Sequence, residues 1–584
     1  MTVVIVSPLA FVISGCRQEV VVPNPPDRVA STTADRGLLD QAFSSFNRMS
    51  ELGPREVKLQ VVERLNQWSR SARDAIPWTP DPMLAPLSAK FGQWELVQQI
   101  AADKFIAADA DFLFEAILLR DTARVVCKGA KSELEMARRL FDWTVDNIAL
   151  DDHLMRENQI VAKMPWQTLV FGHGNYNDRA WLFMRLARQQ NLEVVHVTVP
   201  LKTGIHEWCA LVLGSEHEEQ GGGPDLYLFD HICGLPVAGK EAGSIANLKQ
   251  IAEDEGLLRR LDVEGQPYPV QSQHTSRILV AIETNPGGLS KRMKRVEQQF
   301  SGARRVVLTS RPIETFNRLK QHPQIAKVGL WTWPYFAGTT MADPRSFSHK
   351  MVRAEMQPFE FCLISEKEHI VQAAIENGEL VSFQDPEKYR ERLIYPLWSG
   401  RLKHLTGQLH QRSEQQTGDN RTVTDRDTAP PAVTNAKWLY QKARTFNFRR
   451  FYDTTNWGKE QLEYAQIYTK VSQGNATHWL GVIGANEPRA EGRFDGAQFY
   501  LRSIINSEPP SRWRAAAQFQ LARIHERLGE KKQAIDLYRA IPGAAGRGCK
   551  IRAKWLGIEL GEDPAAEAKE GSSPRPSGES EDKE

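Results

Sequence analysis

Residues 165–237 constrain the fold more than any other part of the chain. They read PWQTLVFGHGNYNDRAWLFMRLARQQNLEVVHVTVP, continue through GIHEWCALVLG and close with PDLYLFDHICGLPV. Ala180, Phe183, Met184, Leu186 and Ala187 recur at helical spacing between Asn177 and Gln190, which predicts an amphipathic helix. Gly172 and Gly174 permit a sharp turn into it, and Asn175 or Asn177 supplies the cap. Two or three apolar strands follow. A side chain at the helix start feels the positive end of the helix dipole, where an enzyme would place a thiolate. Tyr176 stands there.

At 584 residues the chain has room for several domains, at roughly 150 residues each. Its 74 basic residues against 72 acidic ones leave a net charge of +2. That balance gives no field to gather nucleic acid, so no nucleic-acid partner is expected. The six cysteines, Cys16, Cys127, Cys209, Cys233, Cys362 and Cys549, include no CxxC pair, which argues against a zinc ribbon or a dense disulfide framework.

Val3 to Ile13 is a short apolar stretch of signal-region length ending in Val12-Ile13-Ser14-Gly15-Cys16. That ending resembles the lipobox of bacterial lipoproteins. The resemblance implies a signal over residues 1–16, acylation of Cys16, and a lipid-anchored protein of the bacterial cell envelope facing the periplasm or exterior. Multiple acyl chains would hold it stably. No Lys or Arg precedes Cys16, so the expected charged start lies upstream. Residues 17–36, rich in Pro, Ser and Thr, read as a tether.

Residues 37–134 carry helical patterns. Leu59, Val62, Leu65 and Trp68 form one expected stripe, and Met136, Leu140, Phe141, Trp143 and Ile148 another; both suit a core.

Across 135–240 the order LEMARRLFDWTVDNI, GHGNYNDRAWLFMRLARQQNLEV, HEWCALVL and LYLFDHICG resembles the transglutaminase-like superfamily, within the papain-like fold. The resemblance implies a cysteine nucleophile at the helix start, a histidine base on one strand and an orienting aspartate on the next. In this sequence those positions fall on Tyr176, His206 and Asp230. A phenol with a pKa of about 10 is a poor substitute for a thiol in acyl transfer. Strand alternation puts His206 with Trp208 and Ala210 and turns Cys209 to the other face, while Cys233 lies beyond the strand end. No other thiol is therefore expected to act, and Tyr176 is expected to plug the site and donate its hydroxyl to His206. His173, His206, His231 and Asp230 are suitable metal-ligand types without a recognisable spacing, so neither metal nor cofactor is expected.

Residues 241–409 read as an α/β extension or a second α+β domain. ILVAIET and ARRVVLTS are the predicted strands, LSKRMKRVEQQF and PIETFNRLKQ the predicted helices, and GLWTWPYF is expected to be buried against the sheet. Arg292, Lys294 and Arg295 are expected on a solvated face. Residues 410–432 are polar and end in Pro, as a linker does.

In the C-terminal part FQLARIHERLGEKKQAIDLYRAIP resembles a tetratricopeptide repeat, with Ala522, Leu528-Gly529, Ala534 and Tyr538 at its packing and turn positions. Ile541 replaces the usual small residue, against tight stacking of a further repeat. The resemblance implies a helical array over 433–561 that binds a protein or peptide. Residues 562–584 form an acidic tail expected to be disordered. The whole reads as an α+β multidomain protein: a helical N-terminal region, a transglutaminase-like α/β core and all-α C-terminal helices. The expected function is a non-catalytic, membrane-anchored interaction scaffold. The alternative is a hydrolase or acyl transferase acting on peptide or cell-wall amide bonds through a non-standard site.

Overall fold

The computed structural model describes residues 33–49, 53–71, 76–92, 94–151, 154–156, 159–215, 223–376, 379–409, 435–487 and 494–561. Cys16, the linker 410–432 and the tail 562–584 lie outside the described residues, as does most of the expected tether. Helix α1 (Thr33–Ser45) begins within the last residues of that tether.

Helices α2 (Pro54–Ser71), α3 (Ala107–Cys127) and α4 (Glu133–Asn147) precede the stretch that organises the fold. The buried stripe of α2 is Val57, Val61, Leu65 and Trp68, each at most 1% exposed, whereas Leu59 is 56% exposed. The expected stripe included Leu59, which stands roughly 200° around the helix from Val57. Short helix α5 (Pro165–Phe171) ends at Gly172, whose φ of 72° is left-handed, and α6 (Tyr176–Gln189) follows. Ala180, Phe183, Met184, Leu186 and Ala187 are all buried. So are Asp178, Arg179, Arg185 and Gln189 on its polar side. The amphipathic pattern forms the helix as expected, and α3 and the sheet cover both sides of α6. Inside, Arg185 pairs with Glu115 at 3.3 Å and the Trp181 Nε1 donates to Glu283 at 2.8 Å.

The chain is mixed α/β. Six strands form one mixed sheet: β1 (Val194–Pro200), β2 (Ile205–Leu213), β3 (Asp225–Asp230), β4 (Leu235–Pro236), β5 (Ile278–Ile282) and β6 (Ile325–Leu330), in the order β6-β5-β1-β2-β3-β4. β1, β2 and β3 are antiparallel neighbours, with His196 opposite Cys209 and Cys209 opposite Phe229. β5 pairs antiparallel with β1 and parallel with β6. Residues 278–330 thus extend the core sheet across the boundary drawn at residue 240.

The second strand of that extension is Ile325–Leu330, not ARRVVLTS. Val306 and Leu308 are buried, but side chains satisfy their segment. Glu297 accepts from the Leu308 and Thr309 amides at 2.7 and 2.6 Å, and Gln189 exchanges two bonds with Val307. The helices Lys291–Glu297 and Pro312–Leu319 form as predicted, and Trp331, Trp333 and Tyr335 are buried. Arg292 is buried rather than solvated, its Nε 2.7 Å from Asp109, and Arg295 is buried with its guanidinium 5.1 Å from the Trp68 ring.

One face of the sheet, with Cys209, Leu211 and Phe229, packs on α3, α4 and α6 in a cluster that runs from Leu39 to Ile483. The other face, with Val197, Trp208, Ala210 and Leu228, packs on residues between Ala246 and Val270 and on Ile551. Helix α7 (Phe347–Phe361) leads into a long hairpin, Ile364–Glu376 with Glu379–Ile394.

The C-terminal helices α8 (Ala436–Arg444), α9 (Lys459–Asn486), α10 (Asp495–Ile505), α11 (Arg514–Arg527), α12 (Lys531–Arg539) and α13 (Ala544–Glu559) each pack on the next. Ala522, Ala534 and Tyr538 are fully buried, and Gly529 has a φ of 76°. Despite Ile541, α13 stacks closely. Gly546 makes room, since a Cβ there would stand 2.6 Å from the Ile541 carbonyl oxygen. Alternate helices α9, α11 and α13 turn toward the α/β core: Ser472 donates to the Pro358 carbonyl at 2.9 Å, Gln520 to that of Asp146 at 2.6 Å and Lys554 to that of Asp262 at 2.9 Å. At Gly548 the α13 backbone lies directly on the Cys233 carbonyl, leaving no space for a side chain.

Candidate functional site

The start of α6 is a closed capping box. Asn175 Oδ1 accepts from the Asp178 amide at 2.9 Å, and Asp178 Oδ2 accepts from the Asn175 amide at 3.1 Å. Both side chains are buried, and burial, opposed by the charge of Lys163, pushes the Asp178 carboxyl up to about 7. A Cβ at Gly174 would stand 2.8 Å from that of Asp178, so the turn requires glycine. Tyr176 opens the helix, half-buried, with its ring 6.3 Å from that of His231. Burial, followed by the charge of Glu207, raises its phenol pKa.

His206 and Asp230 are brought together. His206 Nε2 lies 3.0 Å from Asp230 Oδ2, and both side chains are buried. Tyr268, from the loop before β5, donates its hydroxyl to Asp230 Oδ2 at 2.6 Å; the same hydroxyl lies 2.9 Å from His206 Nε2 and accepts from Trp208 Nε1 at 2.7 Å. Asp230 Oδ1 accepts from the amides of Ile232 and Cys233, shaping the turn after β3. Against the penalty of burial, the charge and hydrogen bond of His206, the Cys233 amide and Tyr268 hold this carboxyl well below its usual range. The hydroxyl on His206 is therefore that of Tyr268, where Tyr176 was expected.

The two faces of β2 explain the exchange. His206 and Trp208 face the layer that carries Tyr268; Cys209 and Leu211 face α6. Tyr176, at the start of α6, meets the second set: His231, one residue past Asp230, and Glu207, one past His206. Nor does a thiol stand ready. All five described cysteines are buried. Burial pushes the Cys127 thiol up to about 11 and that of Cys549 up to about 12, raises Cys362, and takes Cys209 and Cys233 well above the ordinary range. Nucleophilic cysteines need the opposite shift.

No family model, curated protein or solved structure matches the chain.

On the α6 face His196, Glu207 and His231 form a cluster whose ligand-type atoms all lie within 4.8 Å of one another. Among the described residues, neither nitrogen of His196 has a hydrogen-bond partner, nor has His231 Nε2. Each such buried polar group costs about 1–3 kcal/mol. Burial holds His196 down to about 3, and burial with the charge of His196 holds His231 well below the ordinary histidine range. Both imidazoles are neutral near pH 7.

His173 belongs to a third group. Lys163, buried completely, has its ammonium 3.3 Å from His173 Nδ1 and 3.3 Å from Glu355 Oε2. Asp151 lies 3.4 Å from the same histidine, and Arg512 of the C-terminal helices reaches both Asp151 and Glu355, at 3.3 and 3.1 Å. Burial outweighs the neighbouring carboxylates and takes His173 down to about 4. Glu355 moves to about 2, because the charges of His173, Lys163 and Arg512 overcome its burial. Two carboxylates and two cations balance, and the group ties α7, the turn before α6 and the helical array together.

The four residues weighed from sequence as metal ligands are thus divided among three places, with His206 and Asp230 in one, His231 in another and His173 in the last. Sequence reasoning missed Tyr268, His196 and Glu207. Glu207 was recoverable, because alternation places it on the face of Cys209, whereas His196 joins it through a strand register that sets it opposite Cys209. An apolar cleft of about 590 Å³ lies elsewhere, lined by Trp94, Phe112, Met164, Trp166 and Met356.

Proposed function

We propose that this chain is a non-catalytic, lipid-anchored protein of the bacterial cell envelope, with a transglutaminase-like core that serves as an interaction scaffold. The observation that carries the reading is the engagement of His206. Its Nε2 is held between Asp230 and Tyr268, on the face of β2 opposite to α6, so it is not poised to activate a nucleophile at the helix start. The buried, proton-holding thiols support the same reading. The envelope assignment rests on the lipobox-like ending at Cys16.

The inward helices of the C-terminal array are covered by the core, so its partner surface is on the outward side. There Phe499 is 59% exposed, and the Arg444 guanidinium lies 5.8 Å from its ring and 5.2 Å from that of Tyr500. Lys442 lies 4.9 Å from the Trp438 ring. Aromatic and arginine side chains dominate binding hot spots, and the cations suit a protein partner bearing acidic groups.

The test compares the full chain with His206→Ala on peptide and cell-wall amide substrates. No turnover is expected from either. Turnover abolished by His206→Ala in a protein that keeps its circular dichroism would restore the hydrolase or acyl transferase reading. In cells, crosslinking of a partner should be lost in Phe499→Ala/Arg444→Ala, and an unchanged crosslink would refute the partner surface.

A further inference from the structure

We propose that His196, Glu207 and His231 bind one divalent transition-metal ion, zinc foremost, on the α6 face of the central sheet beside Tyr176.

The three residues come from β1, β2 and the turn after β3, and the sheet register converges them on one point. Their ligand-type atoms lie within 4.8 Å of one another, and His196 Nε2 is already 3.6 Å from Glu207 Oε1. Metal bonds of about 2.0–2.2 Å place tetrahedral ligands roughly 3.4 Å apart, so small side-chain rotations close the set. Two imidazoles and one carboxylate are a recurrent zinc donor set that leaves a fourth position for water.

The histidines are built for this and for little else. They are 1% and 0% exposed. A core histidine ordinarily satisfies its nitrogens with hydrogen bonds, yet among the described residues both nitrogens of His196 and the Nε2 of His231 find none. The surroundings also orient the rings. His196 stacks on Trp331, centroids 4.8 Å apart with planes at 17°, which fixes its plane without occupying a nitrogen. His231 Nδ1 stands 3.8 Å from Cys209 Sγ. A proton on that Nδ1 leaves the Nε2 lone pair for the metal, the division of roles that outer-shell partners impose on ligating histidines. Glu207 supplies the one negative charge among the three ligands.

The inference is independent of the scaffold reading, because it concerns binding and not turnover. The experiment takes the full chain, strips it with chelator, dialyses it against Zn²⁺ and measures bound metal by mass spectrometry. Co²⁺ serves as a spectroscopic substitute. About one equivalent of zinc is expected, with Co²⁺ absorption bands characteristic of tetrahedral nitrogen and oxygen ligation and no displacement by Mg²⁺. Glu207→Gln and His231→Ala should each lower zinc affinity by more than about tenfold, while His274→Ala, outside the cluster, should leave it unchanged. If His231→Ala does not fold, Glu207→Gln and the Co²⁺ spectrum of the wild type carry the test. Failure of the folded wild type to retain zinc, or equal affinity in the wild type and Glu207→Gln, would overturn the proposal.

Discussion

Replacing Gly548 by alanine sets two opposed effects against each other. In an exposed helix Gly→Ala stabilises by about 1 kcal/mol, because alanine loses less backbone entropy on folding. Gly474, within α9, has nothing within 4 Å of a built Cβ, so Gly474→Ala should gain that amount. At Gly548 a Cβ would overlap the Cys233 carbonyl oxygen and stand 2.7 Å from its carbon, against an ordinary contact of 3.4 Å or more. Neither partner is a flexible side chain, so α13 must back away by at least about 0.7 Å on the carbon contact alone. Retreat strains the hydrogen bonds from Arg547 to the Pro267 carbonyl and from Lys554 to the Asp262 carbonyl, and lifts the fully buried Ile551 from the core. Overpacking of this kind costs about 1–3 kcal/mol, which exceeds the helical gain. Urea unfolding of both variants, with hydrogen exchange across 544–559, gives the reading. Gly548→Ala should unfold at lower urea and exchange faster in α13, and Gly474→Ala at higher urea. If Gly548→Ala is as stable as Gly474→Ala, the close docking of α13 on the core is wrong.

Two further outcomes follow from the buried polar groups. Tyr268→Phe removes the hydroxyl shared by Asp230, His206 and Trp208, and should cost about 1–3 kcal/mol in urea unfolding; a loss below the error of the measurement would mean that this network does not exist in solution. For His173, the folded pKa of about 4 lies below its ordinary 6.5. The unfolded chain therefore binds the extra proton first as pH falls, and stability present above pH 6.5 is lost down to about pH 4. The difference between wild type and His173→Asn across that window should change by about 3 kcal/mol, and a flat difference would show that His173 titrates normally.

The helix at 176–189 and the strands at 194–200 and 205–213 were legible because local period and turn glycines mark them. What the period cannot show is a second covering layer. Arg292 reads as solvated because its partner Asp109 lies far away in sequence, and the partners of Arg185 and Trp181 on α6, Glu115 and Glu283, are likewise distant along the chain. The segment ARRVVLTS is apolar enough for a strand, but Gln189 and Glu297 take its hydrogen bonds. At the site, the pairing of His206 with Asp230 was expected only through the transglutaminase-like resemblance, which sets a histidine and an aspartate on successive strands. The tyrosine that joins them was not, since Tyr268 arrives on a loop with no periodic signal.

The apolar cluster on the α6 face recruits residues from Leu39 through Ile483. A nascent chain that has reached residue 400 still lacks Tyr440, Ala476 and Trp479 to close it. At the usual pace of synthesis, about 5–20 residues per second, that leaves the earlier helices and strands incompletely packed for about 4–17 seconds more. Completion of this core thus requires the last third of the chain. Truncation anywhere before Ile483 should yield aggregation-prone fragments, not a smaller stable protein.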